Sequence, residues 1–249
     1  MTRPLVALLG LVLIASGCTS DRAGAPRELT VFAAASLTEV FSELGEAYQK
    51  RHSGVKVSFE YGSSAALAHR LVQGAPAQVY AAANPATMAI VTDAGLAPAD
   101  PPVFARNRLR IAVPAGNPGR VRELADLARP ELTVALCAVR VPCGAATVTL
   151  LRAAGVSVEP DTYEKDVKAA LTKVRLGEVD AALVYRTDVL AAGDAVDGID
   201  VPEAAKAVND YPIAVLHDAP DPELAADFVA YVRSGAGRTA LAKAGFELP

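Results

Sequence analysis

The stretch Leu29–Glu39, LTVFAAASLTE, decides how the rest of the chain is read. Its first six residues are apolar or β-branched and predict a short buried strand over Leu29–Ala34. Ser36 then opens an amphipathic helix, with Leu37, Val40, Phe41, Leu44 and Tyr48 at helical spacing on one face. A second alternating run, Val55, Val57, Phe59 and Tyr61, leads into Ser63 and Ser64 of YGSSAAL and a short helix over Ala65–Gln73. At such junctions the first backbone N–H groups have no intrahelical partner and the helix dipole is positive. Two of them, each carrying a hydroxyl, make a cradle for an anion. A plainer reading of the same residues is a capping box, Ser36 with Glu39 three positions on.

Outward from these junctions the strand and helix signals keep alternating, which indicates an α/β fold with largely parallel pairing. Gly74 and Pro76 stop the second helix, and Val79–Ala83 reads as a strand. The texture then repeats. Strands are expected at Leu109–Val113, Leu132–Cys137, Ala182–Tyr185 and Tyr211–Leu216, with a turn at Ala115–Pro118. Helices are expected at Gly144–Ala154, closed by Gly155, and at Asp166–Leu176, closed by Gly177. Pro222 opens another at Glu223–Arg233, and a short helix precedes Phe246. There is no solenoid repeat and no Gly/Ser linker; the connections near Asn107 and Asn209 read as short, as in two lobes joined by paired strands.

A net charge of −4 without a basic stripe argues against nucleic acid as a partner. At the N-terminus, Arg3 and the apolar run Leu5–Ile14 form a targeting segment too short to span a bilayer. Ala15-Ser16-Gly17-Cys18 resembles a bacterial lipobox, which makes residues 1–17 a signal peptide and 18–27 a lipidated N-terminus with a polar tether. An ordinary signal peptide with an incidental cysteine is the alternative. Once Cys18 is set aside, Cys137 and Cys143 remain as an even pair suited to a disulfide in an oxidising compartment, or else as two buried thiols. His52, His69 and His217 are the three histidines, and no GxSxG, HExxH or phosphate-loop motif accompanies them. No residue is expected to be catalytic and none to ligate a metal directly.

AAASL at 33–37, YGSSAAL at 61–67, GAPAQVYAAAN at 74–84, VPCG at 141–144, DVKAAL at 166–171 and LVY at 183–185 come in the order seen in periplasmic molybdate-binding proteins of ABC importers. The chain resembles that family over nearly all of its mature length. The resemblance implies a two-lobed periplasmic binding protein-like fold, each lobe a mixed, mainly parallel sheet flanked by helices, with the ligand in the cleft. Lobe I would comprise residues 28–106 and 209–249, and lobe II residues 107–208. It also implies the site. Ser36 and Ser64 would donate from the first lobe, Cys143 and Val167 through backbone N–H groups, and Tyr185 through its phenol. Cys143 stands where alanine is common, and Gln78 replaces an acidic residue often found in GAPAD; neither change is expected to alter the ligand.

The same resemblance implies an extracytoplasmic receptor that needs no cofactor; with the lipobox at Cys18, a lipid-anchored monomer is expected. It would capture molybdate or tungstate and hand it to the permease and ATPase subunits of an importer. A pocket with donors alone favours an ion whose oxygens only accept, and leaves the proton of hydrogen phosphate unsatisfied. Sulfate passes that test and is the runner-up ligand. Two rivals from other classes are a secreted hydrolase built on Ser64 and His217, and a thiol-redox protein built on Cys137 and Cys143.

Overall fold

The computed structural model describes residues 26–249; the signal peptide, Cys18 and most of the tether lie outside the described residues. The first stretch of chain runs β1 (Arg27–Ala34), α1 (Thr38–Arg51), β2 (Val55–Gly62), α2 (Ser64–Val72), β3 (Val79–Ala81), α3 (Pro85–Asp93) and β4 (Val103–Asn107). It continues through β5 (Leu109–Pro114), β6 (Val134–Cys137), α4 (Pro142–Ala154), β7 (Thr162–Glu164), α5 (Val167–Arg175), β8 (Ala181–Tyr185), α6 (Arg186–Ala192) and β9 (Val196–Ile199). It closes with β10 (Asn209–Val215), α7 (Pro222–Arg233) and α8 (Gly235–Lys243).

These strands build two five-stranded sheets, β2-β1-β3-β10-β4 and β7-β6-β8-β5-β9. In each, three strands are parallel and the other two are joined by antiparallel pairing: β10 with β3 and β4, β5 with β8 and β9. The chain passes from the first sheet to the second through Arg108 alone. It returns through the segment after Ile199, which holds a 3₁₀ turn at Pro202–Lys206 and is longer than the sequence suggests. At the crossing, Asn107 of β4 pairs with Asn209 of β10.

Period-two alternation explains the layers of the first sheet. Leu29, Val31 and Ala33 face the core built by Phe41 and Phe228, whereas Phe32, Tyr80 and Ala214 face Leu67 and Met88 of α2 and α3. The second sheet has its own core around Ile111, Leu136, Leu150, Leu171 and Leu183. Helices cover both faces of the central strands, so β3, β6 and β8 are apolar from end to end, whereas the edge strand β2 alternates.

Several boundaries differ from expectation. Arg27, read as the end of the tether, is the first residue of β1; its side chain donates to Asp221 at 2.7 and 2.9 Å. Between β1 and α1 the chain makes one 3₁₀ turn, Ala35–Leu37, so Ser36 lies inside the turn. The capping box is not formed, because Ser36 and Glu39 are both engaged elsewhere.

Candidate functional site

The parallel strands of both sheets end towards a common cleft. Ala34 at the end of β1 is level with Gly62 at the end of β2, and Cys137 of β6 with Glu164 of β7. Loops beyond such carboxyl ends are where open α/β sheets bind ligands. Here they place four helical starts around one cavity: the turn holding Ser36, α2 after Ser63, α4 after Val141, and α5 after Asp166. Ser36, Ser64, Cys143, Val167 and Tyr185, far apart in the sequence, all line it. Ser63 lines it too. About 20 Å³ is open to the centre of a water-sized sphere, where one water needs roughly 10–15 Å³ on that measure. The space is on the scale of one compact ion.

Its walls are almost uncharged. Asp166 is the one acidic or basic residue in the lining, and its side chain accepts the Ala169 N–H at 2.9 Å as the cap of α5. The first two helical N–H groups of α5, those of Val167 and Lys168, stay outside the intrahelical ladder, as do those of Cys143 and Gly144 at the start of α4. Pro142, at the first position of α4, has no N–H to satisfy.

The hydroxyls differ in how they are held. Ser36 Oγ lies 2.9 Å from the Tyr211 hydroxyl of β10. Ser64 Oγ accepts the Ala83 N–H at 3.0 Å, and its carbonyl accepts from the Tyr80 hydroxyl at 2.8 Å, so this serine also braces α2 against β3. Ser63 Oγ is buried with no hydrogen-bond partner among the described residues. The Tyr185 hydroxyl accepts from Asn209 Nδ2 at 2.6 Å. Burial, with help from nearby Tyr211 and Asp188, pushes the Tyr185 phenol well above its ordinary pKa, and burial likewise raises Tyr211. Both stay protonated at any physiological pH.

Behind the cavity wall lies an ionic cluster. Lys168 Nζ is 3.0 Å from Asp188 Oδ1 and 2.7 and 2.8 Å from the two oxygens of Glu39. Asp188 is fully buried and accepts the Tyr185 N–H at 3.1 Å, which fixes the strand end that carries the phenol. Burial alone would lower the Lys168 amine, but Asp188 and Glu39 outweigh it and hold its pKa above the usual value. Glu39, an awkward neighbour for an anion on sequence grounds, is thus turned to a lysine of the second sheet's helix.

The arrangement does not support the two rival chemistries. Ser64 is tied to Ala83 near one end of β10, whereas His217 follows the other end, with Nδ1 2.9 Å from the Gly95 carbonyl. They cannot act as a pair. Cys137 and Cys143 are joined as a disulfide with Cα atoms 5.7 Å apart, both at most 3% exposed, so neither sulfur is open to an exchange partner. Gln78 is spent on the Thr30 N–H and the Glu28 carbonyl, far from the cavity. Among the described residues no group of three or more His, Cys, Asp or Glu is placed to hold a metal ion.

Comparison with known proteins bears on the family and the fold. Residues 29–247 match the family described as bacterial extracellular solute-binding protein. The chain is 42% identical to the molybdate-binding protein ModA of Mycobacterium tuberculosis over 244 residues, 96% of this chain and 94% of that one. The periplasmic molybdate-binding protein of Azotobacter vinelandii superposes with a TM-score of 0.78 at 18% identity, over 89% of this chain and 99% of the other. The sulfate-binding protein SubI of M. tuberculosis superposes with a TM-score of 0.77 at 19% identity, over 89% and 87%. At such identities the two structural matches show the fold alone.

Proposed function

The chain belongs to the bacterial extracellular solute-binding proteins, and from that premise we propose that it captures molybdate, and tungstate of the same shape and charge, for an ABC importer. It is a binding protein, not an enzyme. One observation carries the choice of an oxyanion: four helix starts and a protonated phenol converge on a small, nearly uncharged cavity. A dianion leaving water must recover its hydration from the protein. Neutral donors suffice when several converge, since a hydrogen bond to a charged group contributes about 1.5–3 kcal/mol. Helix N-termini add roughly 0.3–1 kcal/mol each, more when partly buried.

The proposed donors are the hydroxyls of Ser36, Ser63 and Tyr185, the N–H groups of Cys143 and Val167, and the N–H and remaining hydroxyl proton of Ser64. Ser63 joins the set because its buried oxygen has no other partner among the described residues. Residues 27–107 and 209–249, the first segment one residue longer at each end than the sequence suggests, act as one lobe and 109–208 as the other, closing by a hinge at Arg108 and at the segment before Asn209. The lipobox at Cys18 anchors a monomer outside the cytoplasm, beside the permease and ATPase subunits it serves. Molybdate is preferred to sulfate as the ligand because the relative at 42% identity is a molybdate-binding protein.

A thermal-melt and calorimetric panel of molybdate, tungstate, sulfate and phosphate tests this reading. At a thousandfold excess over its dissociation constant, a ligand adds about 4 kcal/mol to stability. Molybdate and tungstate should give that shift, and phosphate none. A sulfate shift as large as that of molybdate would transfer the assignment to sulfate.

A further inference from the structure

We propose that Asn209 is a positioning residue that fixes the Tyr185 hydroxyl as a donor towards the cavity, and so makes the site reject oxyanions that carry a proton. The inference rests on the oxyanion reading and assigns the origin of its selectivity to a residue outside the cavity wall.

Hydrogen-bond polarity sets the direction of each contact. Asn209 Nδ2 lies 2.9 Å from the Ala83 carbonyl oxygen and 2.6 Å from the Tyr185 hydroxyl. A carbonyl only accepts, so the Ala83 contact fixes which way round the amide sits: its NH₂ group, not its oxygen, faces both partners. An NH₂ group has two hydrogens and donates both here. The Tyr185 oxygen must therefore accept from Asn209, and its own proton is left for another acceptor. Tyr211, the neighbouring phenol, lies 2.9 Å from Ser36 Oγ and is the alternative acceptor for that proton until a ligand oxygen arrives. Tyr185 lines the cavity and is buried. Its proton thus serves an incoming oxygen, while the side of its oxygen that would accept a ligand proton is occupied.

Placement adds a second consequence. Ala83 follows β3 of the first sheet, Tyr185 ends β8 of the second, and Asn209 opens β10 where the chain returns to the first. The amide contacts both sheets at once. The donor polarity of Tyr185 is therefore set by the arrangement of the two sheets in which these three residues meet.

Asn209→Asp keeps the shape but presents a carboxylate oxygen, which takes the Tyr185 proton away from the cavity. Calorimetry at pH 8 should show molybdate affinity falling about 10- to 100-fold. The added charge contributes part of that loss, so the decisive quantity is the same substitution in a Tyr185→Phe background. There the loss should shrink at least about fivefold, because the hydroxyl it acts on is gone. Equal losses in the two backgrounds would overturn the inference and leave the oxyanion site standing. Should the aspartate variant fail to fold, Asn209→Ala frees the phenol to rotate. The ratio of molybdate to hydrogen arsenate affinity should then fall at least about fivefold, and an unchanged ratio would equally overturn it. Failure of the unsubstituted protein to bind any oxyanion would instead refute the functional reading beneath it.

Discussion

Replacing Lys168 tests how the cleft is held from behind. The lysine contacts two carboxylates in very different settings: Glu39 is 51% exposed and Asp188 is 0% exposed. A solvated pair contributes about 0–1 kcal/mol, because water and salt screen it and both chains give up rotamer freedom. Removing the cation from a buried carboxylate costs about 3–5 kcal/mol, since an uncompensated charge or a forced protonation is left behind. Glu39→Gln should therefore destabilise the ligand-free protein by no more than about 1 kcal/mol, and Lys168→Met by about 3 kcal/mol or more. In Lys168→Met/Asp188→Asn both charges are gone while the side-chain carbonyl can still accept the Tyr185 N–H, so at least about 2 kcal/mol of the Lys168→Met loss should be recovered. Urea unfolding at pH 7, with the parent and all three variants compared at one ionic strength, reads these differences. Equal losses for Glu39→Gln and Lys168→Met, or no recovery in the double variant, would show that Asp188 does not depend on Lys168.

Gly144→Ala would place a Cβ against the backbone of Ala138 and 2.7 Å from the Cys137 carbonyl, where nothing can yield. Stability should fall by about 1–3 kcal/mol or more, and molybdate affinity with it as α4 shifts; a fully stable variant with native affinity would refute the tight packing. Cys137→Ser opens a short loop and should cost about 2 kcal/mol of stability, yet calorimetry should find affinity within about tenfold of the parent, because Cys143 contributes its backbone. Lys168 has a folded pKa above its unfolded one, so its stabilisation is complete below about 10.4 and is lost as the pH rises through the folded value. Tyr185, also raised, loses its donor only at higher pH still than an ordinary tyrosine. Molybdate affinity should be flat from about pH 6 to 9, and a titration midpoint near neutrality would contradict the phenol assignment.

Much of the fold is legible in the chain because its carriers are local. A buried strand ending in a small residue and a helix-opening hydroxyl is written in a few consecutive letters, as in AAASL and YGSSAAL. Asp166, Gly155 and Gly177 mark helix boundaries by chemistry that needs no tertiary context. Strands β4, β7 and β9 have no comparable signal: they are short, and their pairing is set by distant partners rather than by alternation. Helix α6 is hard to read because Tyr185 occupies its cap position and reads as the end of a strand, whereas α3 carries a local start signal in Asn84-Pro85. At Ser36 a local rule competes with a tertiary one. Ser36 and Glu39 alone fit a capping box, but Tyr211 and Lys168, 175 and 129 residues away in sequence, claim those side chains. Asn209 carries no signal of its own in the sequence, since its role exists only where Ala83 and Tyr185 are brought together. Ser63 and Ser64 are equivalent letters in the sequence, and only tertiary contacts separate them: Ser64 Oγ accepts the Ala83 N–H, whereas Ser63 Oγ has no partner among the described residues.

Uncharged donors must replace the water around a tetrahedral metal oxide if this site is to work as proposed. A crystal structure of the protein soaked with molybdate, with the metal located by anomalous scattering, tests that most directly. The peak should lie between Ser36, Ser63, Ser64, Cys143, Val167 and Tyr185, with every oxygen about 2.7–3.1 Å from N–H or O–H groups and none touching a lysine or arginine. A metal peak outside that cavity, or an ion held by a cationic side chain, would contradict it.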